Sequence, residues 1–192
     1  SLITVYAQPK TSDAVMKDFM EKRFGMFIHW GPVSLRGTEI GWSRDKQVSK
    51  EDYDKLYKEF NPVLFNADEW VNAAKEAGMK YLTITARHHD GFCLWPTKFT
   101  SYNISNTPYK KDIVGALATA CKKQGIKFCI YYSILDLWHP EYPIHSAHNA
   151  TIDPKSDMNK YIADTKNQLK ELITDYGPYM LWFDGGWDSP WT

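Results

Sequence analysis

Net charge, cysteine and long apolar runs are what this 192-residue sequence has least of. Lysine plus arginine and aspartate plus glutamate each number 23, a formal net charge of zero. There is thus no basic footprint for a nucleic acid or an anionic membrane surface. No stretch approaches the ~18 consecutive apolar residues of a membrane span. The three cysteines, Cys93, Cys121 and Cys129, are an odd number at no framework spacing, which argues against a disulfide scaffold. Cys121 falls in a helical pattern and Cys129 in a strand pattern, so buried free thiols are expected. No glycine-rich phosphate loop follows the first strand pattern, which removes the dinucleotide signature. Neither a His-x-His pair nor a His-Glu-x-x-His helix is present to hold zinc.

What the sequence has in excess is aromatic residues, 15% of the chain, with eight Trp and twelve Tyr. A large core accounts for part of that excess, and a carbohydrate site, where aromatic faces pack on sugar C–H faces, is the functional alternative. Residues 1–10 read as a signal-peptide remnant or tail. Ser1 to Ala7 is apolar, and Val5-Tyr6-Ala7 before Gln8 fits the small-residue cleavage rule. A secreted or periplasmic protein, lysosomal in a eukaryote, is the expectation. The sequons Asn103-Ile104-Ser105 and Asn149-Ala150-Thr151 matter only in a source that glycosylates.

From residue 11 to 192 helical and strand patterns alternate. A first helix runs through Val15, Met16, Phe19 and Met20, and a buried strand follows near 26–30. A long connection from Pro32 to Phe65 holds a helical piece around Glu51 to Phe60. Asn66 with Glu69 forms a capping box for a helix through Trp70, Ala73, Ala74 and Ala77, closed by Gly78. Met79 begins the second strand. Asp112 caps the next helix, Gly125 ends it, and Ile126 to Ser133 is the third strand. A further helix from about Asp157 to Gly177 leads to the fourth strand, near 179–184. The strands are continuously apolar, as strands covered on both faces are. The prediction is an α/β chain with a parallel sheet, a barrel or a flavodoxin-like open sheet.

Polar groups gather where these strands end: His29, then His88 and His89, then Tyr131, Tyr132 and Asp136, then Asp184. In a β/α barrel that rim is where sites are built. A zinc site is disfavoured because neighbours such as His88 and His89 on an extended strand point to opposite sides. Sugar recognition is favoured, with imidazoles and tyrosines bonding hydroxyls and Asp184, in Trp182-Phe183-Asp184-Gly185-Gly186, doing covalent work.

The motifs Arg23-Phe24-Gly25-Met26-Phe27-Ile28-His29-Trp30-Gly31, Ala77-Gly78-Met79-Lys80-Tyr81, Thr85-Ala86-Arg87-His88-His89-Asp90-Gly91-Phe92, Tyr131-Tyr132-Ser133 and Trp182-Phe183-Asp184-Gly185 occur in this order. From Phe19 to Trp187 the chain resembles glycoside hydrolase family 29, the α-L-fucosidases. That resemblance implies a (β/α)8 TIM-like barrel of which this chain supplies about the first four βα units. It implies a retaining exo-α-L-fucosidase with Asp184 as nucleophile, no cofactor, no metal, and a fucosylated oligosaccharide or glycoconjugate as substrate. It further implies that His29, His88, His89 and Tyr131, with Tyr132 as an alternative to Tyr131, bond fucose. Trp42 resembles the family's sugar-contacting tryptophan. Gly41 stands where the family often has Glu, and Glu39, three positions before Trp42, is the carboxylate expected to reach the sugar instead. Trp182, Phe183 and Trp42 are expected to wall the sugar methyl. The family's general acid/base lies downstream of the nucleophile, so the remaining half of the barrel is required and residues 1–192 alone are expected to be inactive. The alternative is a fucose-binding barrel protein without catalysis.

Overall fold

The structure is a computed structural model that describes residues 11–187 and 189–191. The stretch read as a signal remnant lies outside the described residues. The elements are α1 (Asp13–Lys22), β1 (Gly25–Ile28), α2 (Lys50–Tyr53), α3 (Ala67–Glu76), β2 (Tyr81–Arg87), α4 (Ile113–Gln124), β3 (Lys127–Ser133), α5 (Met158–Tyr176) and β4 (Met180–Asp184). The helical piece expected over 51–60 is a single turn, α2, followed by a short 3-10 turn at Leu56–Lys58.

Local chemistry sets the helix ends. Asn66 Oδ1 accepts from the backbone N–H of Asp68 and Glu69 at 3.1 and 3.3 Å, and its Nδ2 donates to Glu69 Oε1 at 2.8 Å. Asp112 accepts from Gly115 N at 2.9 Å. Gly125 and Gly177 end α4 and α5 at positive φ, the left-handed cap that glycine adopts without a Cβ penalty.

All four strands are parallel and lie in chain order β1-β2-β3-β4. That order belongs to a barrel, since a doubly wound sheet reverses direction beside its first strand. Met26, Ile28, Leu82, Ile84, Ala86, Phe128, Ile130, Tyr132 and Leu181 point to one side. There they meet Val71 of α3, Ile113, Val114, Leu117 and Cys121 of α4, and Leu172 of α5 in the main core. Fully burying each such aliphatic side chain contributes about 1.5–3 kcal/mol. The period-2 alternation turns Phe27, Thr83, Thr85, Cys129, Tyr131, Ser133, Trp182 and Asp184 to the opposite side. The three cysteines are free and buried.

Candidate functional site

The chemistry collects on that second side, at the C-terminal ends of the strands. Asp184 closes β4. Its Oδ2 accepts a 2.7 Å hydrogen bond from Tyr131 Oη, and its Oδ1 accepts from Gly185 N at 2.9 Å. Burial and the adjacent carboxylate push the Tyr131 phenol up, so this group remains the donor. Tyr132, one residue on, faces the helices, donating to Gln168 of α5 at 2.8 Å and lying 4.2 Å from the Arg87 guanidinium. Alternation thus distinguishes the two tyrosines, and only Tyr131 reaches Asp184.

His29, His88 and His89 surround Tyr131. The His88 ring stacks on Tyr131 at 5.3 Å and 12°, and His29 lies 5.4 Å from His88 and 5.5 Å from Tyr131. His88 and His89 do not diverge as an extended strand would require; their ring centroids are 4.3 Å apart. The reason is local. The β2–β3 register shifts between Thr85 and Arg87, β2 ends at Arg87, and the chain turns through His88 and His89. Among the described residues no group of three His, Cys, Asp or Glu has metal-holding geometry.

His88 and His89 are held neutral. Burial, reinforced by the neighbouring rings, drives His88 down to about 2, and burial drives His89 down to about 4 against the pull of Asp184. Burial also lowers His29, with Asp184 opposing.

A cavity of about 400 Å³ opens beside these groups, lined by His29, Glu39, Trp42, His88 and Asp184 with Trp30, Gly31, Val33, Ser34, Thr38 and Ile40. Glu39 and Trp42 arrive on the long connection between β1 and α3. That segment is fastened by Arg44, which grips Asp54 through two bonds of 2.6 and 2.9 Å and donates to His145 O at 2.7 Å. A second fastening is Tyr53 Oη, which accepts from Gly41 N and donates to buried Asp90, both at 2.8 Å. Burial raises the Asp90 carboxyl to about 6. Gly41 has φ +72°, and a Cβ there would lie 2.9 Å from His88 Nδ1 and 3.1 Å from His89 Cβ. The glycine before Trp42 therefore permits close backbone approach to the two histidines.

Trp187, which the motifs gave no role, lies nearly parallel to Trp42 at 6.2 Å, and both meet His89 edge-on. Its place three residues past the strand-end aspartate was the available signal. Trp182 lies beside Phe27 on the Asp184 side, whereas alternation sends Phe183 to the helix side, away from the cavity. Gly185 has φ +92°, and a Cβ on it would press to 2.6 Å of Leu135 Cβ.

The α-L-fucosidase family model matches residues 4–192. The chain belongs to that family. Tissue α-L-fucosidase of Bos taurus is 32% identical over 90% of this chain and 39% of its own length. The Homo sapiens tissue enzyme is 31% identical, with 90% and 40% covered. A GH29 α-L-fucosidase crystal structure from Bacteroides thetaiotaomicron superposes with a TM-score of 0.80 at 39% identity, covering 95% of this chain and 43% of that one. An α-L-fucosidase from Lactobacillus casei in complex with α-L-fucose product gives 0.77 at 32%, covering 90% and 62%. The four parallel strands and their helices are accordingly part of the fucosidases' TIM-like barrel, and the chain spans about two fifths of the length of the curated relatives it matches.

Proposed function

We propose that this chain carries the sugar-binding wall and the nucleophile of a retaining exo-α-L-fucosidase. The observation that supports this most is the Asp184 carboxylate, oriented by Tyr131 and Gly185, opening on a cavity lined by His29 and His88 and faced by His89. Asp184 attacks the anomeric carbon of a terminal α-linked fucose. The glycosidic oxygen leaves with a proton from a second carboxyl, which then takes a proton from water as that water opens the glycosyl ester. The acid/base belongs to the part of the family's barrel beyond the two fifths spanned here. His29, Glu39, Trp42, His88, His89 and Tyr131 hold the sugar of a fucosylated oligosaccharide or glycoconjugate. A covalent route also gains support from a relative: a GH29 fucosidase of Bacteroides thetaiotaomicron was trapped as a covalent intermediate with 2-fluoro-fucosyl fluoride.

In the full-length protein, Asp184→Gly should lose at least a thousandfold in kcat on an aryl α-fucoside while keeping its fold. Azide should then enter the vacated space and yield the β-fucosyl azide. A folded variant retaining more than a tenth of wild-type turnover would refute the nucleophile role. Sugar binding by a wild-type protein that turns over nothing would favour the non-catalytic reading.

A further inference from the structure

His89 and Asp184 face each other with Nε2 3.9 Å from Oδ2, and the state of that nitrogen follows from a residue behind it. Ser133, at the end of β3, is wholly buried, and its Oγ has three polar neighbours. Leu135 O lies at 2.6 Å, Leu135 N at 3.1 Å and His89 Nδ1 at 2.7 Å. A carbonyl oxygen only accepts, so at 2.6 Å the single hydroxyl proton of Ser133 must point to Leu135 O. With that proton committed, Oγ can only accept from its other two neighbours. His89 Nδ1 therefore carries a proton. The ring is neutral, so Nε2 is bare.

We infer that Ser133 is a positioning residue that locks His89 in the Nδ1–H tautomer, making its Nε2 a pure hydrogen-bond acceptor facing Asp184. Two acceptors, Nε2 and Asp184 Oδ2, then confront each other with no proton between them. A ligand satisfies this arrangement by bringing a hydroxyl that donates to His89. An ether or carbonyl oxygen at that place meets two lone-pair bearers and is rejected. The reading adds to the proposed fucosidase a rule for which polarity of group is admitted beside the nucleophile, and its ligand half rests on that proposal. The tautomer itself does not.

The test is long-range ¹H–¹⁵N correlation of the imidazoles in the ¹⁵N-labelled full-length protein, with His89 assigned by its loss in His89→Gln. Wild type should show His89 protonated on Nδ1 alone. Ser133→Ala should shift His89 wholly or partly to Nε2–H, and KM for an aryl α-fucoside should rise several-fold to about tenfold, the loss of one neutral hydrogen bond. Ser133→Thr, which returns a hydroxyl, should restore both. A wild-type His89 protonated on Nε2 overturns the inference, and so does a folded Ser133→Ala whose tautomer is unchanged. Correct tautomers in a wild type that hydrolyses no fucoside would sink the proposed function and leave the Ser133 assignment standing.

Discussion

Removing one oxygen atom from Tyr53 tests how the cavity rim is held. Tyr53 is 1% exposed, and its hydroxyl is the only link that joins the Gly41 backbone to Asp90 among the hydrogen bonds described. In Tyr53→Phe the ring still fills its space, so no cavity forms. The Gly41 N–H loses its acceptor and Asp90 loses a donor while both stay buried. Each orphaned group costs about 1–3 kcal/mol, so a total of about 2–6 kcal/mol is expected if neither finds water. Asp90 keeps the Phe92 N–H at 3.3 Å, which places the loss toward the lower end. The Arg44–Asp54 pair still fastens the loop, so the protein should fold, with Gly41 and Trp42 loosened against His88 and His89. Urea unfolding of the full-length variant should show about 2–3 kcal/mol lower stability at unchanged m-value. KM for an aryl α-fucoside should rise more than kcat falls. A stability loss below about 0.5 kcal/mol with unchanged KM would refute the idea that this relay positions the rim.

Other perturbations follow from the same geometry. Gly41→Ala adds a methyl 2.9 Å from His88 Nδ1 at φ +72°. Left-handed backbone costs a non-glycine residue about 1–2 kcal/mol, and His88 must also shift, so fucose-analogue affinity by calorimetry should fall at least tenfold; unchanged affinity would refute the close approach. Stability should fall as the pH is lowered from about 6.5. His29, His88 and His89 have depressed folded values, so between 6.5 and those values the unfolded chain binds protons the folded one refuses. Asp90 and Asp112, whose folded values are raised by burial, work the other way. Between pH 6 and 4 the two strongly lowered imidazoles, His88 and His89, outnumber the one carboxyl raised as far, Asp90, so the histidines set the sign of the slope. Replacing His88 and His89 together with Asn should reverse the sign of that slope in urea melts, and a slope unaffected by the replacement would contradict the burial argument.

The fold was legible because its signals are local. Asn66, Asp112, Gly125 and Gly177 mark helix ends through their own side chains or φ, and apolar runs mark strands covered by helices. Parallel strands with sites at their C-terminal ends then bring His29, His88, His89, Tyr131 and Asp184 together without further information. What stayed hidden depends on contacts distant in sequence or on the chain leaving ideal geometry. Tyr53 meets Asp90 across 37 residues from a segment with no periodic pattern. The register shift at the end of β2 put both histidines on one side, against the rule for extended neighbours. Ser133 stood inside a motif and shares Tyr131's face by alternation, but its partner depends on where the turn after β2 returns. Phe183, expected beside the sugar methyl from its place next to Asp184, is instead turned to the helix side by the period-two alternation of β4.

The site's electrostatics have a common purpose under the proposed mechanism. A protonated His89 at 3.9 Å would interact with Asp184 by about 4 kcal/mol at an effective dielectric of 20. That attraction belongs to the ionised carboxylate and fades as its oxygen bonds to carbon and the charge disappears, so it would raise the barrier to ester formation. Burial keeps His88 and His89 neutral, and Ser133 directs the His89 proton away from the carboxylate. Arg87, the buried cation whose charge reaches His89, is occupied by Asp136 at 3.2 Å, Gln168, Ser133 O and Tyr161. Among the described residues, Asp184 has two donors that orient it, Tyr131 and Gly185, and no full positive charge beside it. Neutral imidazoles still recognise a sugar, because hydroxyls need donors and acceptors rather than charge. Under the proposed mechanism, recognition and nucleophilicity are compatible in one wall because His88 and His89 are too buried to become ions.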